Sequence, residues 1–153
     1  LGTPKNYENA FYDMPKKWIP DGEDWVDVGL GGFLKGAGFG EDVYEAEWGK
    51  QKVPTLRNIA VTGPYMHNGL FRDLRTVVLF YESYVNPDER NINPETQKPW
   101  GKPEFEATIA TDLLKVGDPL TDLEVDSLVC FLRTLTDKRY EHLIEDKGIS
   151  CKD

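Results

Sequence analysis

The chain of 153 residues carries 27 acidic against 18 basic side chains, a formal net charge of −9, which argues against nucleic acid and anionic membrane surfaces and leaves an acidic solvated face or a basic partner. No apolar run reaches the roughly 18 residues of a membrane span, and no basic-then-apolar leader opens the sequence, so no membrane is expected. The length suits a single domain over residues 1–153 with an ordinary core; the opening Leu1 points to a processed or truncated product and leaves the compartment open.

Residues 1–52 carry Pro4, Pro15, Pro20-Asp21-Gly22 and glycines at 29, 31, 32, 36, 38 and 40, which reads as extended loop with short turns. The Gly-Ala-Gly-Phe-Gly run at 36–40 follows no apolar strand and precedes no Lys-Ser/Thr pair, so it is not a phosphate loop; it reads as backbone passing close to something bulky. Trp18, Trp25 and Trp48 are expected to pack as satellites on the core, with electron hopping as the sharper alternative.

Residues 53–84 hold the densest chemistry, V-P-T-L-R-N-I-A-V-T-G-P-Y-M-H-N-G-L-F-R-D-L-R-T-V-V-L-F-Y-E-S-Y. A helix is expected over 73–84: Asp73 suits the N-cap, and Leu74, Val77, Val78 and Tyr81 recur at i, i+3, i+4 and i+7, so Tyr81 is expected to point inward with the apolar stripe. Asn86-Pro87-Asp88, Asn93-Pro94, Pro99 and Gly101-Lys102-Pro103 mark 86–103 as a long loop, either functional or an insertion. Residues 104–115 read as a short helix through Phe105, Ile109, Leu113 and Leu114.

Thr121 and Glu124 form a capping box, and Val125, Leu128, Val129, Leu132 and Leu135 give the following helix its apolar stripe. Beyond Lys138 a short helix and tail are expected. No segment alternates convincingly with period two, so the fold class is mainly α with long irregular loops, the pattern of a domain wrapped around a large cofactor; helices are placed over 104–137.

The two cysteines are too few for a disulfide framework. Cys130 sits in an apolar helical run and reads most simply as a buried thiol; a disulfide to Cys151 in an oxidising compartment is the alternative. His67 lies in a loop among aromatic neighbours, where a structural hydrogen-bonding role competes with a ligand role. His142 is expected at the surface, and Met14 has no supporting pattern. No Cys-X-X-Cys-His occurs, so the chain does not attach a c-type haem by the usual thioethers.

The blocks Leu56-Arg57-Asn58, Thr62-Gly63-Pro64-Tyr65 and His67-Asn68-Gly69, followed by a helix with a potential ligand, resemble in order and spacing the C-terminal domain of the bacterial di-haem cytochrome c peroxidase and MauG family. The segment D-L-E-V-D-S-L-V-C-F-L-R-T-L-T-D resembles that family's terminal helix, and L-G-T-P-K-N resembles the stretch after its second haem-binding motif. The resemblance implies a cytochrome c-like helical domain in a periplasmic, peroxide-dependent oxidoreductase. It implies that haem c, attached outside this chain on an N-terminal segment or a separate subunit, takes Tyr81 as iron ligand, where many peroxidases carry methionine and MauG carries tyrosine. A phenolate is a hard donor that favours higher iron oxidation states, whereas a thioether favours ferrous iron.

Met66 is the rival ligand. By the same resemblance His67 lines the haem pocket, Arg57 holds a propionate, and the backbone carbonyls of Thr62 and Pro64 help bind calcium. No catalytic residue is assigned within this chain, and an electron-donor or substrate protein is the implied partner. The alternative is a haem-free binding or scaffolding module that keeps the fold.

Overall fold

Residues 2–151 are described by the computed structural model, and their contacts group into two units, Leu1–Pro54 with Gly101–Ala110 and Thr55–Trp100 with Thr111–Asp153. In the first unit, the segment expected to be loop contains two short helices, α1 at Gly29–Gly36 and α2 at Glu41–Ala46. Glycine is what lets them meet: a Cβ on Gly31 would lie 2.6 Å from the Trp48 Cα, far inside van der Waals contact. The Gly-Ala-Gly-Phe-Gly run does not approach anything bulky, since a Cβ on Gly36 or Gly38 would have nothing within 4 Å. It is the turn between α1 and α2, and Gly38, at φ +82°, takes a conformation that glycine adopts without cost.

The tryptophans of this unit differ from the expectation in part. Trp25 lies against Phe11 with ring centroids 5.8 Å apart and Trp48 against Tyr44 at 6.0 Å, whereas Trp18 is 69% exposed and is no satellite of a core. The expected helix over 104–115 is absent until α4, Thr111–Leu114. Upstream, the polar groups serve distant partners: the Glu104 N–H donates to the Thr3 carbonyl at 2.8 Å and Thr108 Oγ1 to the Trp48 carbonyl at 2.8 Å. The Thr108 bond, side chain to backbone, is of the kind that competes with the helical ladder.

The second unit is built on α3, Leu74–Val85, and α5, Asp122–Thr134. Both begin where the sequence places them. The Asp73 side chain accepts from the Arg75 N–H, and Thr121 and Glu124 make the full capping box, leaving fewer orphan N–H groups at each helix start. Val125 and Val129, at 0% and 1% exposure, belong to the same buried cluster as Leu74, Val78, Leu79 and Phe80. Leu128, expected on that stripe, is exposed together with Phe131.

A polar clamp ties the two helices. Arg75 Nε donates to Asp126 Oδ1 at 2.6 Å and its Nη2 to Asp122 Oδ1 at 3.2 Å, while Arg90 Nη1 reaches the same Asp122 oxygen at 2.9 Å. The Arg90 guanidinium first, then Arg75, holds the Asp122 carboxyl below its ordinary pKa. Glu82, buried on α3, accepts from the Leu120 N–H at 2.8 Å just before the α5 cap.

Residues 86–103 are not featureless loop: β1, Ile92–Asn93, pairs antiparallel with β2, Lys98–Pro99. Two-residue strands are too short to show alternation. The hairpin delivers Trp100 onto Phe80 and Phe71, at centroid distances of 5.2 and 5.7 Å, with its Nε1 donating to the Arg90 carbonyl. Beyond Lys138 a single 3-10 turn, Glu141–Leu143, precedes an irregular tail. Cys130 is no free thiol: it is disulfide-bonded to Cys151, with Cα atoms 5.4 Å apart and a sequence separation of 21. A loop of that length is worth about 3 kcal/mol in the chain-entropy description.

Candidate functional site

Arg57, Thr62, Pro64, Met66 and His67 share one loop of the second unit, and Tyr81 lies on α3; Tyr65 of that loop belongs to the same buried cluster as Leu74, Val78 and Phe80 of α3. The loop is anchored by groups whose roles its sequence motif did not reveal. Asn58 takes the left-handed conformation at φ 62°; its N–H donates to the Leu135 carbonyl at 3.0 Å and its Oδ1 accepts from the Asp137 N–H at 2.7 Å. Asparagine is the non-glycine residue that tolerates this conformation best, and that was the available signal. Asn58→Ala is expected to cost about 2 kcal/mol, from the left-handed strain and one hydrogen bond together, and Asn58→Gly about half as much. Urea denaturation of the two variants measures the difference.

Tyr65 anchors the middle. Its side chain is buried, its hydroxyl donates to the Ile59 carbonyl at 2.9 Å, and its N–H donates to the Phe71 carbonyl at 2.7 Å. Burial pushes its phenol above the ordinary tyrosine pKa, with Asp73 and Glu145 adding to the effect. Met66, at φ 71°, is half-buried and packs on the core cluster. The neighbouring side chains look outward: Arg57, Thr62, Pro64 and His67 are exposed. Among the described residues the Arg57 guanidinium makes no hydrogen bond or ion pair.

Tyr81 departs from expectation in an informative way. Helix α3 buries Leu74, Thr76, Val78, Leu79, Phe80 and Glu82, residues that point in nearly every direction around a 3.6-residue helix. The exception is one side, where Val77 and Tyr84 are half-buried and Tyr81 is 45% exposed. Tyr81 therefore does not point into the core. Its ring lies edge-on to Phe80 at 6.4 Å, its hydroxyl has no hydrogen bond among the described residues, and partial desolvation raises the phenol above the ordinary pKa. The geometry is an apolar helix face with one unengaged oxygen donor, open to whatever lies against it.

No family model matches the chain. It is 52% identical over 133 residues to the methylamine utilization protein MauG of Paracoccus denitrificans, which covers 86% of this chain and 33% of that protein. The chain belongs to the MauG and di-haem cytochrome c peroxidase family. It is also 32% identical to MauG of Methylophilus methylotrophus over 55% of this chain and 19% of that one, and 51% identical to the cytochrome-c peroxidase IdrP1 of Denitromonas iodatirespirans over 23% and 9%. The chain thus spans about a third of the length of the Paracoccus MauG.

Membership of the MauG and peroxidase family implies haem c, and the second unit fits part of such a site: one side of α3 carries an exposed phenol oxygen, and the site loop carries the Arg57 guanidinium, which makes no hydrogen bond or ion pair among the described residues. The fit to calcium is poorer. Among the described residues no group of three or more His, Cys, Asp or Glu could hold a metal ion, and the Thr62 and Pro64 carbonyls are only two of the roughly six to eight oxygens calcium takes. Among the described residues no helix is long and apolar enough to cross a membrane.

Proposed function

We propose that this chain forms the distal side of the C-terminal electron-transfer haem in a di-haem c-type oxidoreductase, a peroxidase or MauG-like enzyme that takes peroxide as acceptor. The observation that carries this reading is the single open side of α3, with Tyr81 on it. Tyr81 is the most exposed residue of a largely buried helix, and its hydroxyl, without a hydrogen bond among the described residues, is well placed to meet an iron. When bound, the haem supplies one-electron redox chemistry. Tyr81 would hold the iron through its phenol oxygen and would give up the phenol proton to do so. Val77 and Tyr84, half-buried beside it, exclude water from that face.

Arg57 would fork onto a propionate, which accounts for a guanidinium with no hydrogen bond or ion pair among the described residues. His67 lines the pocket edge. Met66 is the poorer ligand, since its side chain is engaged in core packing. The fold of the second unit is cytochrome c-like on this reading, and the two units act as one haem-binding domain. The haem's thioether attachment comes from an N-terminal segment or a separate subunit, and Thr62 and Pro64 lend their carbonyls to a calcium shell completed there. An electron-donor or substrate protein is the remaining partner, and the location is periplasmic; the Cys130–Cys151 bond suits an oxidising compartment.

Intact-mass spectrometry and an ultraviolet-visible spectrum of the purified protein test this directly. A haem spectrum accompanied by a covalently haem-bearing polypeptide segment is the expected result. A colourless protein of intact mass sinks the reading and leaves a haem-free scaffolding module.

A further inference from the structure

The tail after α5 has few holds on the second unit. Among the described residues it forms no helix or strand after the Glu141–Leu143 turn. Ile149 inserts into the core cluster. Arg133, on α5, donates through Nη1 to the Ile149 carbonyl at 3.0 Å and through Nη2 to the Glu145 carbonyl at 3.2 Å. Lys147 Nζ donates to the Arg72 carbonyl at 3.0 Å and stands 3.9 Å from an oxygen of Asp73, the α3 cap. The covalent hold is Cys130–Cys151, at the far end of the tail.

Beside this tail lies a half-open pocket of about 240 Å³. Ile144, Glu145 and Lys147 wall it on the tail side, with Gly63 and Tyr65 of the site loop and Val129 of α5 facing them. The tail therefore forms one wall of a space that reaches the loop carrying the candidate site. Its lock is also accessible: Cys151 is exposed, Cys130 half-buried, and Arg133 Nη1 is 3.4 Å from the Cys151 sulfur.

We infer that residues 144–151 form a strap locked by the Cys130–Cys151 disulfide, and that a dithiol reductant of the thioredoxin class unlocks it and removes that wall of the pocket. The incoming thiolate attacks the exposed Cys151 sulfur, and the electron pair of the cleaved S–S bond passes to Cys130, which takes up a proton. The second thiol of the reductant then attacks the mixed disulfide, releasing Cys151 as a thiol and leaving the reductant as its own cyclic disulfide. Two electrons pass from dithiol to cystine, and the two protons end on the cysteines. The Arg133 guanidinium, 3.4 Å from the Cys151 sulfur, stabilises the Cys151 thiolate as it leaves the mixed disulfide in the second step. Without the lock, Ile149 leaves the core and Lys147 leaves the α3 cap. The inference stands on the tail's own geometry and does not depend on the haem assignment.

The test is reduction of the intact protein with dithiothreitol and no denaturant, followed by iodoacetamide trapping and hydrogen-exchange mass spectrometry. Both cysteines are expected to become alkylated, and amides of 143–151 to lose roughly tenfold or more of their protection while 74–85 and 122–132 keep theirs, the mark of sub-global opening. A Cys130→Ser/Cys151→Ser double variant is expected to show the same tail exchange without reductant, and Arg133→Gln to slow reduction severalfold. A disulfide that yields only in denaturant, a tail that stays protected once its thiols are free, or loss of protection throughout the second unit at once would each overturn the inference. If the double variant does not fold, the wild-type measurement decides alone.

Discussion

Replacing Tyr81 by methionine is expected to raise the reduction potential of the bound haem by about a few tenths of a volt, because the exchange of a phenolate for a thioether shifts preference from ferric to ferrous iron within the range axial ligands command. Tyr81→Phe removes the donor oxygen alone and is expected to change the visible spectrum to that of a haem with a weak or open axial position. Neither change should disturb the fold by more than about 0.5 kcal/mol, the usual span for a surface substitution away from special features, since Tyr81 is 45% exposed and has no hydrogen bond among the described residues. That separation of spectrum from stability distinguishes a ligand from a structural tyrosine. The pH dependence has a definite sign. Burial favours the neutral phenol, so ligation releases a proton, and lowering the pH weakens it. A Tyr81→Phe spectrum identical to wild type at every pH removes Tyr81 from the iron and promotes Met66.

The same residue marks the limit of what the sequence could tell. Helical spacing put Tyr81 on the stripe of Leu74 and Val78, and the helix is where that spacing placed it, from the Asp73 cap onward. Periodicity finds a face but not what covers it. Here the segment that completes the site lies outside the chain on the proposed reading, so the face carrying Tyr81 is open in this chain and only its location in the motif set it apart. The α5 capping box was legible for the complementary reason: Thr121 and Glu124 satisfy each other locally, and no distant contact is needed to decide it.

Features that depend on distant contacts were not legible. The two helices of the first unit are held by Gly31 against the Trp48 backbone, a glycine that sequence reasoning counts as a helix breaker. The 104–110 segment fails to become helix because its polar groups bond Thr3 and Trp48, both far away in sequence. Whether Cys130 pairs with Cys151 turns on whether the tail folds back, which Ile149 and Arg133 decide. In the site loop, the resemblance marked Arg57 for a propionate where its residue type alone left a surface ion pair equally open; among the described residues its guanidinium makes no hydrogen bond or ion pair.

The largest loss of stability is expected from Phe71→Ala, and it probes the link between core and site. Phe71 is 1% exposed and its ring contacts those of Phe80 at 5.2 Å and Trp100 at 5.7 Å. Truncation removes buried apolar surface and leaves a cavity between α3 and the hairpin, a change that costs about 3–5 kcal/mol out of the 5–15 kcal/mol that holds a typical domain together. The backbone of the same residue accepts the Tyr65 N–H at 2.7 Å, so slack in this core reaches the loop of Pro64, Met66 and His67 as well as the helix of Tyr81. Chemical denaturation is expected to show the full loss, and hydrogen exchange to show faster opening in both 62–71 and 74–85. A loss below about 1 kcal/mol is far too small for a fully buried phenylalanine and would mean that Phe71 does not join helix, hairpin and site loop.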